Sequence, residues 1–287
     1  MPATDTSPCS ETPVEILTQA SAAWGIVSAP QGPAFETGVI IVTGGLQYRV
    51  GAHRQSVLLA RQLAAAGFTT LRFDLAGLGD ATGDVFDFET LGPQLTAALE
   101  ALTTQHGTVK RVVLWGLCDG ASAALLHWRT TTDPRIAGLC LVNPWVRSDT
   151  GLARTHIKHY YGHRLTEWSF WRKLLAGGVG PKAIAQLMGT LRTSLHRQDT
   201  SQSFQQKMAL AWRSFPSPIL LLISERDLTG QEFMDHARTD KAWQGCLQMA
   251  NVQQHIMPGA DHTCSTQGGH ELLGQLTLQW LLSRFKS

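Results

Sequence analysis

Residues 111–128 read R-V-V-L-W-G-L-C-D-G-A-S-A-A-L-L-H-W. A β-branched, leucine-rich run passes straight into G-L-C-D-G, Gly116 to Gly120, and then into a stretch of helical character. Strand, Gly-x-residue-x-Gly turn and helix together form the context of a nucleophile elbow. The reason is steric. A turn this sharp strains its central residue, so the flanking positions must lack bulky side chains. The central side chain then stands above the sheet at a helix N-terminus, where orphan N–H groups and the helix dipole favour a thiolate. That central residue is Cys118. The plainer alternative is a core cysteine beside a tight turn, and the pentapeptide alone does not decide between them.

Working outward, runs of the same kind begin at Gly38 (G-V-I-I-V-T), Phe68 (F-T-T-L-R-F-D), Ile136 (I-A-G-L-C-L-V-N), Pro218 (P-I-L-L-L-I-S) and Val252 (V-Q-Q-H-I-M). Near-continuous apolar strands of this type belong to parallel sheets buried on both faces. Residues 14–18 and 22–29 read as an opening antiparallel pair. Helical patterns lie between, over 53–66, 89–104, 121–129 and 269–285, the first ended by Gly67. Strands alternating with helices predict right-handed crossovers and a mostly parallel, doubly wound α/β sheet. The exception is 147–214, which carries no convincing strand and reads as a helical cap inserted between two strands. The predicted organisation is a core of 1–146 and 215–287 with a cap over 147–214.

A thiol nucleophile needs a base, and the base needs an orienting acid. After 218–224 the chain reads E-R-D-L-T, placing Asp227 just past a strand end, where open α/β sheets carry functional loops. After 252–257 it reads P-G-A-D-H-T, placing His262 past the next strand end. Asp227 is the candidate acid and His262 the candidate base, with Glu225 and Asp149 as alternative acids. Asp227 as a simple helix cap, or His262 as one of eleven scattered histidines, are the plainer readings. An oxyanion hole needs two N–H donors. The Asp119 N–H, next to the nucleophile, supplies one. The loop T-G-G-L-Q-Y-R offers the other from Gly45, with Leu46 in reserve, unless its glycines serve only the turn. The Asp119 side chain either points away or contacts substrate or an arginine. Arg49 and Arg54 are the candidate substrate-binding partners.

These segments, in the order nucleophile, acid, histidine, resemble the α/β-hydrolase superfamily over nearly the whole chain outside 147–214. F-D-L-A-G-L-G-D-A-T-G, Phe73 to Gly83, is similar to that superfamily's D-x-R-G-x-G-x-S loop, with Ala76 in place of the Arg. More narrowly, G-G-L-Q-Y-R-V-G-A-H-R-Q together with W-G-L-C-D-G-A-S-A resembles the exosortase A system-associated hydrolase 1 family. That resemblance implies a bacterial hydrolase-type protein associated with exopolysaccharide gene clusters. A cysteine at the elbow is similar to the dienelactone hydrolases, in that feature alone. A haloalkane dehalogenase is disfavoured, since its elbow needs a carboxylate.

Composition bounds the rest. The 287 residues are 43% hydrophobic and 16% charged, which excludes disorder and coiled coil. No apolar run approaches the ~18 residues of a membrane helix, and no secretory signal is recognisable. Five scattered cysteines, with no C-x-x-C pair, argue against a disulfide framework or a zinc ribbon. A reducing cytoplasm is expected. A net charge of +2 suggests no nucleic-acid partner, but residues 147–214 hold eleven Lys/Arg against three Asp/Glu. That basic excess reads either as a solvated face or as an anion-attracting lid. His156, His159 and His163 share a helix face there without a fourth ligand, so neither metal nor cofactor is expected. The expected activity is hydrolysis of an ester or thioester through acyl-Cys118, the substrate small or carrier-bound and anionic. Acyl transfer by the same triad, and ligand binding without catalysis, are the alternatives. Cys264, two residues past His262, is read as structural, and the oligomeric state is left open.

Overall fold

The structure is a computed structural model that describes residues 9–85, 87–147 and 202–286. The chain divides into two compact units, one of Met1–Val146 with Phe204–Ser287 and one of Arg147–Ser203. The first holds an eight-stranded sheet. Its strands are β1 (Cys9–Leu17), β2 (Ala22–Pro30), β3 (Thr37–Val42), β4 (Thr70–Phe73), β5 (Arg111–Leu117), β6 (Ile136–Val142), β7 (Ile219–Ser224) and β8 (Val252–Met257). They lie in the order β1-β2-β4-β3-β5-β6-β7-β8. β1 and β2 form the expected antiparallel pair, and β2 also runs antiparallel to β4; every other pairing is parallel.

The described helices are α1 (Gln55–Ala65), α2 (Gly92–Gln105), α3 (Asp119–Thr131), α4 (Phe204–Ser214), α5 (Leu228–Thr239) and α6 (Gly269–Phe285). Alternate residues of one strand feed opposite faces of the sheet. Ile40 and Val42 of β3, with Val112 and Leu114 of β5, pack among side chains of α2, α3, α4 and α5. Val39, Ile41, Val113 and Trp115 pack with α1 and α6. Burial on both faces is why these strands read as unbroken apolar runs.

Three boundaries differ from expectation. The helix predicted over 89–104 opens with a 3-10 turn at Phe88–Thr90, and α2 proper starts at Gly92 with a proline in its first turn. Proline lacks an N–H and has its φ preset, so it is suited to that position. α3 begins at Asp119, not 121, because the turn at Cys118 already delivers the chain into helix. The cap predicted over 147–214 is too long at its C-terminal end. Phe204–Ser214 is a helix of the core unit, with Met208 and Trp212 fully buried. The Trp212 indole N–H donates to the Cys246 carbonyl at 2.9 Å, and Gln205 Nε2 donates to the Val146 carbonyl at 3.0 Å. The apolar stripe of that helix is thus core, not lid. The rest of the predicted cap, including Asp149 and the three spaced histidines, lies outside the described residues.

Candidate active site

β5 ends at Leu117 and α3 starts at Asp119, so Cys118 alone makes the turn, with φ 59 and ψ −124. An L residue is rarely found at such angles, and holding one there costs about 1–3 kcal/mol. The two elbow glycines are required by contact. A Cβ on Gly116 would lie 2.6 Å from the Ala121 backbone, and one on Gly120 would lie 2.5 Å from the Val42 carbonyl oxygen. The exit of β6 locks the turn from the other side. The Cys118 N–H donates to the Val142 carbonyl at 2.9 Å, and Trp145 N–H donates to the Cys118 carbonyl at 3.2 Å. Cys118 is partly exposed, whereas Cys9, Cys140, Cys246 and Cys264 are buried, and all five are free thiols.

Asp227 and His262 meet here from separate strand exits. Asp227 follows β7, caps α5 and is nearly fully buried. Its Oδ1 accepts from Thr229 N–H at 3.1 Å and its Oδ2 from Gly230 N–H at 3.0 Å. The same Oδ2 lies 2.9 Å from His262 Nδ1. Capping and orienting are therefore one arrangement: the cap holds the carboxylate still for the ring. The Asp227 hydrogen bond first, and one to Cys118 second, raise the His262 pKa to about 10 against the effect of burial. The imidazolium is thus the favoured form near neutral pH. Glu225 goes elsewhere; its Oε2 accepts from Gly259 N–H at 2.7 Å and ties the β7 and β8 exits together.

A fourth residue at this junction was missed by sequence reasoning. Asn143, directly after β6, is fully buried with φ 46. Its Oδ1 accepts from Ser224 N–H at 2.8 Å. Its Nδ2 donates to Ser224 Oγ at 3.0 Å and to the His262 carbonyl at 3.3 Å. One amide thus fastens the end of β7 to the histidine loop. The available signal was position: an Asn at a strand exit, where these sheets place functional residues. Cys264 sits behind the same loop, its Sγ 3.8 Å from Ser224 Oγ, and burial pushes its thiol pKa up to about 11.

The glycine loop departs from expectation. Gly45, at φ 59, donates its N–H to Asp119 Oδ1 at 2.6 Å. The proposed second oxyanion donor is thereby engaged by a side chain of the elbow itself. Gly44 permits this close approach, since a Cβ there would lie 2.7 Å from that oxygen and 2.3 Å from the Leu117 carbonyl. Leu46, the reserve donor, is exposed at the loop tip. Burial, the first cause, raises the Asp119 pKa, while hydrogen bonds from the Gly45, Gly120 and Asp119 N–H groups oppose it. Neither arginine pairs with Asp119. The Arg49 guanidinium binds the buried Asp74 and, at 2.6 Å, Asp80. Arg49 thereby clamps the Phe73–Gly83 loop, with Asp80 as half of the clamp. Arg54 is exposed at the start of α1. A cavity of about 260 Å³ adjoins Asp119 and Gly45, walled by apolar side chains that include Leu75, Leu78, Phe88 and Leu91. Among the described residues no cluster of His, Cys, Asp or Glu is arranged to hold a metal, and no helix is long and apolar enough to cross a membrane.

A parallel sheet with a strained elbow, a histidine loop and an acid at successive strand exits defines an α/β-hydrolase-type protein. The family model of the Alpha/beta hydrolase family matches residues 40–272, and the chain belongs to that family. No curated protein matches the sequence. Solved structures with the same fold include an esterase from Pyrococcus furiosus, 18% identical with TM-score 0.64, covering 96% of this chain and 94% of that one. A dienelactone hydrolase from Anabaena variabilis is 16% identical with TM-score 0.61, covering 97% and 99%. An alpha-beta serine hydrolase homologue from Coxiella burnetii is 17% identical with TM-score 0.58, covering 94% and 97%. At these identities the likeness is one of fold.

Proposed function

We propose that this chain hydrolyses an ester or thioester through Cys118, His262 and Asp227. The observation that carries the reading is the 2.9 Å His262–Asp227 contact, together with a strained, partly exposed cysteine at the elbow. The Cys118 thiolate attacks the acyl carbonyl carbon, its proton having passed to His262. The leaving alcohol or thiol departs with the electron pair of the broken bond and takes that proton. Water then adds to the acyl-cysteine carbonyl, giving a proton to His262, and the thiolate leaves. Asp227 holds the ring's tautomer and stabilises the imidazolium. A nucleophilic thiol needs a reducing compartment, so a cytoplasmic setting accompanies this reading. The basic excess of 147–214 favours an anionic carrier or leaving group, and the narrower family resemblance favours a bacterial exopolysaccharide context.

A cysteine at the elbow also favours acyl transfer, because a thiolate leaves readily toward any acceptor. Product released only when an alcohol or amine acceptor is added would identify that case. The Asp119 carboxylate on Gly45 N–H favours the third reading, ligand binding without catalysis. Wild type and Cys118→Ala, assayed on short- and medium-chain p-nitrophenyl esters and acyl thioesters, decide the main point. The expected loss in the variant is at least ~10³-fold, with an acyl adduct on Cys118 visible by intact mass in wild type alone. Equal rates in the two proteins would exclude Cys118 as the nucleophile.

A further inference from the structure

Oxyanion holes stabilise charge that develops only in the transition state. Here a full carboxylate already sits on one of the candidate donors. Asp119 Oδ1 accepts from Gly45 N–H at 2.6 Å, a charge-assisted distance, across 74 residues of chain. Gly44 is the residue that makes room for it. We propose that Asp119 is a specificity-determining residue: its carboxylate is a resident anion in the oxyanion hole, and an acyl donor reacts only by displacing it. The inference rests on the reading of Cys118 as the nucleophile.

The competition is local and unequal. A ground-state carbonyl oxygen carries only partial charge and must replace a charged acceptor on the same N–H. The displaced carboxylate then faces a cavity walled, among the described residues, by Leu75, Ala76, Leu78, Val85, Phe88 and Leu91. Arg49, the near cation on the glycine loop, is held by Asp74 and Asp80. Displacement therefore leaves Asp119 in poorer surroundings, and unassisted donors are acylated slowly. The plug also competes with any free carboxylate product for the same N–H.

Two reactions of one thiol separate this idea from its foundation. Acylation by p-nitrophenyl acetate forms the S–C bond and expels p-nitrophenolate through a tetrahedral oxyanion, so it uses the hole. Alkylation by iodoacetamide forms an S–C bond and expels iodide in one displacement with no oxyanion, so it does not. Both rates are measured at Cys118 by intact mass for wild type, Asp119→Asn and Asp119→Ala. Acylation is expected to rise about 10-fold or more in Asp119→Ala and by less in Asp119→Asn, whose neutral oxygen still accepts from Gly45. Alkylation is expected to stay within about twofold, which also reports an intact site. Unchanged or slower acylation with unchanged alkylation overturns the plug while leaving Cys118 as the nucleophile. Acylation and alkylation rising together also overturns it, because Asp119 would then act on the thiol and not on the hole. A Cys118 that resists iodoacetamide in all three proteins removes the underlying reading and this inference with it.

Discussion

His262 carries the electrostatics of the site. Its pKa of about 10 is set first by Asp227 and second by Cys118. A raised pKa means the folded state binds the proton more tightly, so the contribution to stability is complete below about pH 6.5 and disappears as pH rises through about 10. Asp227→Asn removes the main cause. The ring should then titrate well below 10 by NMR, and on the proposed reading turnover should fall about 10²–10⁴-fold, as in established triads whose acid is neutralised. A ring that still titrated near 10 in this variant would mean that Asp227 is not what holds it. Asn143 acts one step further away. Removing its amide in Asn143→Ala leaves buried Ser224 N–H without its acceptor, at about 1–3 kcal/mol in denaturant unfolding. Because the same amide anchors the His262 carbonyl, we expect kcat to fall about 10-fold with KM nearly unchanged. A loss of stability with full kcat would make Asn143 purely structural.

The elbow belongs to the scale of elements, because β5, α3 and the end of β3 must approach within backbone contact for it to exist. Gly120 faces the Val42 carbonyl at a distance no real Cβ tolerates, and that neighbour is a strand of the central sheet that has no room to yield. Gly120→Ala should therefore destabilise the protein by about 3 kcal/mol or prevent folding. A urea midpoint equal to wild type would mean that β3 and α3 are less tightly apposed. The pattern G-x-C-x-G was readable because all of its parts are adjacent in sequence. The engagement of Gly45 by Asp119 was not, since nothing local says which way a first-turn carboxylate turns. The pairing of Arg49 was not readable for the same reason: its partners Asp74 and Asp80 lie 25 and 31 residues away.

At the scale of the molecule, the half-buried Glu11 and the buried His127 are the described acid-range groups lowered furthest. Glu11 of β1 is held at a pKa of about 2, mainly by its hydrogen bond to Arg61 and, after the opposing effect of burial, by Arg72. Its stabilisation is present above about pH 4.5 and is lost as pH falls toward 2. For a partly exposed group this is about 1–2 kcal/mol. Burial lowers His127 of α3 to about 4, so the folded state resists its protonation and loses stability as pH falls from about 6.5 to 4. Acid unfolding should thus begin near pH 6 through His127 and steepen below pH 4.5 through Glu11. Glu11→Gln should flatten only the second phase of a stability–pH curve, and a variant that flattened both would refute the division.

Read alone, the chain determined the alternation of strands and helices, the antiparallel opening pair, the sharp turn at Cys118 and the placing of Asp227 and His262 past successive strand ends. Each is written in short-range apolar periodicity and in residues adjacent along the chain. Only the tertiary structure decided that Phe204–Ser214 belongs to the core, that Asp227 both caps and orients, that Asn143 ties β7 to the histidine loop and that Asp119 sits on Gly45. Those are contacts between residues tens to more than a hundred positions apart. They arise because a parallel sheet brings the C-terminal ends of its strands to one edge, and no local pattern records which side chains will meet there.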